Sequence, residues 1–188
     1  MSKKPIKHIT ILIYAHPELY PPTLSAIEEL SQIADTIDVV TRNMLASKWE
    51  YPKNVRVNYI NKKKYVGFGI EKVSFGLKII HFLKFVMMSH RLIKKNKSKI
   101  VLAYDVIPLY VAHLLKATLK KQDSLLWYHN HDVTDLSKAN YFSIMSIASR
   151  KQDSAIQNIG MFSLPSKERL VYFKNIPKEI NPIIIPNY

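Results

Sequence analysis

Seven histidines occur in the 188 residues, and three of them stand beside carboxylates. His129 and His131 flank Asn130 and run into Asp132, His16 leads into Pro17 and Glu18, and Asp105 follows Tyr104. Side chains two apart on an extended chain point the same way, so His129 and His131 share one side of any strand that carries them. Such a group admits three kinds of chemistry. It can hold a metal ion, with Asp132 or His16 adding a ligand to the two imidazoles. It can be a polar loop whose rings are satisfied by backbone groups. It can also be a sugar-transfer site, in which His and Asp contact hydroxyls and a leaving phosphate. A hydrolytic metal centre on this pair needs a further close Asp-His pair, and Val133-Thr134-Asp135 follows instead, so no metal ligands are assigned. Cysteine is absent, which excludes thiolate nucleophiles, thiolate metal sites and disulfides. The four glycines form neither the dinucleotide-binding nor the P-loop pattern.

The elements that must position these residues follow from periodicity. Lys7 to Tyr14 is a β-branched apolar run and predicts a buried strand. Pro21-Pro22 ends it, and Thr23 caps a predicted helix through Leu24, Ile27, Leu30, Ile33 and Ala34. Strands are predicted at Thr36 to Thr41, Val55 to Ile60, Ile100 to Tyr104, Ser124 to Tyr128, Met161 to Leu164 and Pro182 to Ile185. Helices are predicted at Glu71 to Lys95, Leu109 to Lys120, Ser137 to Arg150, and from Ser166 to Lys174. This alternation predicts an α/β fold with a doubly wound, mainly parallel sheet and helices on both faces, in one domain over residues 1–188. Ligands of such sheets bind outside the carboxyl ends of the strands. His16, Arg42, Asp105 and the run His129 to Asp132 all follow predicted strands, although Asp105 also suits a cap on the next helix.

Hydrophobic residues make up 47% and charged residues 22%, which excludes a disordered or collagen-like chain. No apolar run reaches the roughly 18 residues that span a bilayer. The basic, then apolar, start is followed by no small-residue cleavage site, which predicts a cytoplasmic protein without a leader. The net charge is +14. From Asn61 to Lys99 eleven basic residues face Glu71 alone, a net +10. That field favours a polyanionic partner: nucleic acid, an anionic membrane surface or a phosphorylated substrate.

Within Glu71 to Lys95 the polar positions Glu71, Ser74, Lys78, His81, Lys84, Arg91 and Lys95 form one helical stripe. One reading is a crossover helix with a solvated basic face and its apolar residues, Phe75, Ile80 and Phe85 among them, on the core. The other is a helix on an anionic membrane surface, on the inner face of the cell membrane, with Lys62, Lys63 and Lys64 before it and Lys94 and Lys95 after it. A basic α/β protein that binds nucleic acid or another anion without catalysis is the alternative, but no helix-turn-helix, RRM, KH or zinc-finger signature accompanies the charge.

A family resemblance runs through the chain in order. Ile100-Val101-Leu102-Ala103-Tyr104-Asp105, a helix, a strand and then Trp127-Tyr128-His129-Asn130-His131-Asp132 resemble the N-terminal half of family 4 glycosyltransferases. Phe162-Ser163-Leu164-Pro165-Ser166-Lys167-Glu168 is similar to that family's strand and serine-capped helix, and Ile183-Ile184-Ile185-Pro186-Asn187-Tyr188 to the segment leading into its second domain. The resemblance implies a Rossmann-like domain of a GT-B architecture, the acceptor side of an enzyme that moves a sugar from a nucleotide-sugar to a glycan or lipid-linked acceptor in cell-surface polysaccharide synthesis. It implies retaining transfer with no metal and no cofactor beyond the nucleotide-sugar substrate. It implies His131 beside the reacting sugar, Asp132 orienting it, and His16, Tyr104 and Asp105 on the acceptor. The chain departs from the family where His16-Pro17-Glu18 replaces adjacent glycines. The donor-binding C-terminal domain, with its paired glutamates, is not in this sequence, so the chain is expected to be inactive alone and to need a separate donor domain or chain.

Overall fold

The computed structural model describes residues 6–44, 49–62, 73–132 and 141–186. They belong to two compact units, Met1–Lys99 and Ile100–Tyr188.

In the first unit β1 (Ile6–Ile13) pairs with β2 (Ala34–Thr41), and β2 pairs with β3 (Val55–Tyr59), both in parallel. Six consecutive residues of β1, His8 to Ile13, are buried, because helices cover both faces of a parallel sheet. Helix α1 (Pro21–Ile33) begins two residues before the expected Thr23 cap. Proline suits the first helical turn, where its missing N–H has no partner to lose and its φ is already helical, so Pro21-Pro22 open the helix. Thr23 lies inside it, buried.

Helix α2 (Phe75–Asn96) ends at Lys97, whose φ of 50° is left-handed. It buries His81, Phe85, Ser89 and Ile93, a stripe at intervals of four. Phe85 meets Tyr14 edge-on at 5.2 Å. Of the expected solvated stripe, Ser74, Lys84, Arg91 and Lys95 are exposed, but His81 is only 4% exposed, and the apolar residues expected on the core do not all lie there, since Phe75 and Ile80, with Leu83 and Met87, face water. One sheet face covers a narrow arc of a helix, and α2 carries more apolar side chains than that arc holds. The expected start at Glu71, with Lys63 and Lys64, lies outside the described residues.

Under the last turn of α2 sits a buried polar cluster that the sequence reading passed over. Asp38 on β2 accepts hydrogen bonds from Asn96 (2.7 Å), Asn58 (2.9 Å) and Arg56 (3.0 Å), and His8 Nε2 lies 3.4 Å from its carboxylate. His8 Nδ1 is 2.7 Å from Thr36 Oγ1, and the Thr10 and Ser98 hydroxyls are 2.6 Å apart.

In the second unit β4 (Ile100–Tyr104), β5 (Leu125–His129), β6 (Met161–Leu164) and β7 (Ile183–Ile184) pair in that order, all parallel. The α/β class with parallel strands is as expected. The expected Leu109 to Lys120 helix is two helices, α3 (Val106–Leu114) and α4 (Lys116–Lys121), with Leu115 between them. Helix α3 starts directly after Asp105 and is buried on most sides, as its nearly continuous apolar sequence requires. Helices α5 (Ile144–Arg150) and α6 (Gln152–Ile156) precede β6. Ser143 caps α5 by accepting the Ser146 N–H at 3.1 Å, and the expected Ser137 start lies outside the described residues. Gly160 is needed for close approach, since a Cβ there would collide with the Leu125 side chain. A 3-10 turn, Lys167–Tyr172, follows β6.

Candidate active site

The chemistry-bearing residues of the second unit meet at the carboxyl ends of β4 and β5. Tyr104 closes β4 and His129 closes β5, paired side by side in the ladder. Asp105 turns the chain into α3 with φ 66° and ψ −179°, left-handed for a residue with a Cβ. Such strain persists only where the surroundings fix it, and strained positions gather at functional sites. Here the Asp105 N–H donates to the His129 carbonyl (2.8 Å). The Asp105 carboxylate accepts the N–H of His131 (2.7 Å) and of Asp132 (3.4 Å). Instead of capping α3 with its side chain, Asp105 ties β4 to the loop after β5.

That tie sets the rings. His131 stacks on Tyr104 with centroids 4.9 Å apart and planes 15° from parallel. His129 meets Tyr104 edge-on at 5.2 Å and His131 at 4.6 Å. The two histidines lie on one side, as their spacing predicted. Ser163 on β6 fixes His129: its Oγ accepts the Trp127 indole N–H at 2.7 Å and lies 2.7 Å from His129 Nδ1. Asn130 is held by its N–H on the Ser163 carbonyl (3.0 Å) and its amide on the Tyr128 hydroxyl (3.0 Å). Tyr104, His129, Asn130 and His131 are each at most 4% exposed.

One charged side chain at this sheet edge escaped the sequence reading. Arg169, in the turn after β6, donates to the His131 carbonyl and lies 3.8 Å from the exposed Asp132 carboxylate. It brings a cation to the strand ends. Nothing local in Ser166-Lys167-Glu168-Arg169 marks it, because its role depends on β6 lying beside β5.

Burial pushes Asp105 up to about 6, partly opposed by the hydrogen bonds from the His131 and Asp132 amides. Burial, and then the neighbouring His131, push His129 down to about 3, so its ring is neutral. The two act on stability with opposite sign. Above pH 6 the fold carries a partly buried Asp105 charge that destabilises it, and this is relieved as pH falls from 6 to 4, where the folded state holds a proton that the unfolded chain has released. Below pH 6.5 the unfolded chain protonates His129 while the fold does not, so acid destabilises there. Asp105→Asn keeps an acceptor and removes the charge. Its melting temperature should exceed that of the unaltered chain by about 5 °C at pH 7.5, and the difference should vanish by pH 4. A constant difference across that range in scanning fluorimetry would show that Asp105 is not buried as an ion.

In the first unit, His16 follows β1 and is fully buried. Its Nδ1–H donates to the Arg42 carbonyl (3.3 Å), and its Nε2 faces Glu18 Oε1 at 3.4 Å. Its ring stacks on Tyr59, centroids 5.8 Å apart and planes 7° from parallel. Tyr51 donates to the same Glu18 oxygen (3.4 Å), and the Arg42 guanidinium covers the Tyr14 ring at 4.1 Å. Burial lowers the His16 pKa while Glu18 raises it, and burial raises those of Tyr51 and Tyr59. The expected site residues thus fall into two groups, His16 in the first unit and Tyr104, Asp105, His131 and Asp132 in the second. Among the described residues no three His, Asp or Glu side chains are placed to hold a metal ion.

No family model matches the chain, and no curated protein does. Solved structures do. The fold is similar to that of sucrose-phosphate synthase from Thermosynechococcus elongatus, with a TM-score of 0.63 and 11% identity over 96% of this chain and 48% of that one. A shorter structure of the same synthase matches at TM-score 0.63 and 14% identity, over 96% of this chain and 88% of its own. A protein assigned as a UDP-N-acetylglucosamine 2-epimerase from Listeria monocytogenes matches at TM-score 0.54 and 14% identity, over 93% of this chain and 44% of that one. The chain therefore spans about half the length of the full-size proteins it resembles. At such identities the likeness speaks to fold alone, and the fold it shows is the Rossmann-like α/β fold of these GT-B proteins.

Proposed function

We propose that this chain is the acceptor-side half of a GT-B glycosyltransferase of the family 4 kind. It moves a sugar from a nucleotide-sugar to a glycan or lipid-linked acceptor in cytoplasmic steps of cell-surface polysaccharide synthesis. The supporting observation is the knot at the ends of β4 and β5, where a strained Asp105 holds the loop that carries His131. Evolution tolerates strain and buried titratable groups chiefly where they serve a site, and this is the sheet edge at which such folds take ligands. The ordered resemblance of the chain and the GT-B likeness add the reaction class.

In this reading His131 steadies positive charge at the sugar as the phosphate leaves, and preorganised polar groups usually supply most of the rate gain in such catalysis. Tyr104 and Asp105 orient the acceptor hydroxyl, which converts the attack into an effectively unimolecular step. Asp132 and Arg169 set the loop. No metal or further cofactor takes part. The nucleotide is bound by a separate donor domain or chain, so the isolated chain is inert. Hydrolysis and transfer assays of the chain alone, with UDP-, GDP- and ADP-sugars, should give no turnover. Robust turnover by the isolated chain would contradict the need for a donor domain.

A further inference from the structure

We infer that the solvent face of α2 docks on an anionic lipid bilayer, its apolar amino-terminal half entering the headgroup boundary and its cationic carboxyl-terminal half meeting the headgroups. This goes beyond the transfer reaction and does not depend on it.

Opposite the buried stripe of His81, Phe85, Ser89 and Ile93, the exposed residues of α2 are ordered along its length. Phe75, Ile80, Leu83 and Met87 come first, 60%, 48%, 53% and 62% exposed. Lys84 and the half-buried Lys78 stand among them, and Arg91, Lys94 and Lys95 gather beyond them at the carboxyl end, all three exposed. From Phe75 to Asn96 there are five Lys and Arg residues and no Asp or Glu. Scattered exposed apolar residues are ordinary, but a contiguous apolar face marks an interaction surface.

The order of the two halves chooses the occupant. From Ile80, in the apolar part, to Arg91, where the terminal cations begin, the axis rises about 16 Å at 1.5 Å per residue. A bilayer presents matching layers, acyl chains beneath anionic headgroups, so a tilted helix satisfies both halves at once. A second copy of this face does not: parallel pairing opposes cation to cation, and antiparallel pairing places cations on apolar side chains. Nucleic acid would take the cationic half and leave the apolar half in water. No helix among the described residues is long and apolar enough to cross the membrane, so the contact is at its surface.

The test uses the whole chain and co-sedimentation with vesicles of phosphatidylcholine alone or mixed with phosphatidylglycerol. The unaltered chain should bind only the mixed vesicles. Changing Lys84, Arg91, Lys94 and Lys95 to Gln should weaken binding on the order of a hundredfold, and changing Ile80, Leu83 and Met87 to Gln about tenfold. All seven positions are exposed or nearly so, and matching melting temperatures show that the variants fold. The chain has no cysteine, so Met87→Cys takes a single environment-sensitive fluorophore. Its emission should shift to the blue on mixed vesicles and be quenched by acyl-chain nitroxides, whereas a label at Ile33→Cys on α1 should not respond. Equal binding to neutral vesicles, unaltered binding of the Ile80, Leu83 and Met87 variant, or an unresponsive label at position 87 would each overturn the inference. So would retention on polynucleotide with no binding to mixed vesicles.

Discussion

Asp38→Ala is expected to lower the unfolding free energy of the chain by about 3–5 kcal/mol, the usual cost of removing one partner from a buried charge network. The carboxylate is 2% exposed and gathers Asn58, Asn96, Arg56 and His8. Arg56 can turn to water, since its side chain is 59% exposed. Asn58 keeps the Val39 and Arg56 carbonyls as acceptors (3.4 and 3.1 Å), but Asn96 is left with only the His8 ring nitrogen at 3.3 Å, and a donor that loses its acceptor costs about 1–3 kcal/mol where water does not reach it. The network ties the last turn of α2 to β2 and β3, so its loss should also loosen that turn. Arg56→Ala, at the wet edge of the same network, should cost only about 1 kcal/mol. Burial holds His8 below its ordinary pKa, opposed by Asp38, so protonation of the unfolded chain below pH 6.5 erodes stability further. Urea titrations at pH 7 decide the matter: the midpoint should fall with an unchanged slope. A loss under about 1 kcal/mol would mean that water replaces the carboxylate without strain.

His131→Phe is expected to cut sugar transfer by the completed enzyme on the order of a hundredfold, the usual effect of removing one charge-stabilising group. Phenylalanine is the informative change because His131 is buried against Tyr104. Alanine there would open a cavity and mix a packing loss of about 2 kcal/mol with any catalytic loss. Phenylalanine preserves the stack and removes the ring nitrogens. The kcat of the variant should fall while its melting temperature stays within a few degrees, and KM for the acceptor should change little, because the group acts on the transition state. Equal losses of stability and turnover would make His131 a structural ring.

How far the sequence disclosed this can be followed through particular elements. The strands Ile100 to Tyr104 and Met161 to Leu164 were legible to the residue, because buried parallel strands read as unbroken apolar runs. With the strand ends placed, so were Asp105, His129 and His131. What was not legible depends on contacts distant in sequence. Arg169 reaches His131 from 38 residues away, and Asp38 gathers partners from other elements, Asn58 20 residues on and Asn96 58 residues on. The solvent face of α2 misled for another reason: periodicity shows that a helix has two faces, but not how wide an arc the sheet covers. Pro21-Pro22 read as a break because proline ends a helix from within but opens one at its first turn.

The central claim is that the knot formed by Tyr104, Asp105 and His131 serves sugar transfer once a donor domain is supplied. Its most direct test is transfer of labelled sugar from UDP-, GDP- or ADP-sugars to extracted glycan or lipid-linked acceptors, with this chain and a donor-binding GT-B domain together, each alone, and with His131→Phe. Labelled product from the pair, none from either part alone, and about a hundredfold less from the variant is the predicted result. Equal labelling with His131→Phe and with the unaltered chain would contradict it.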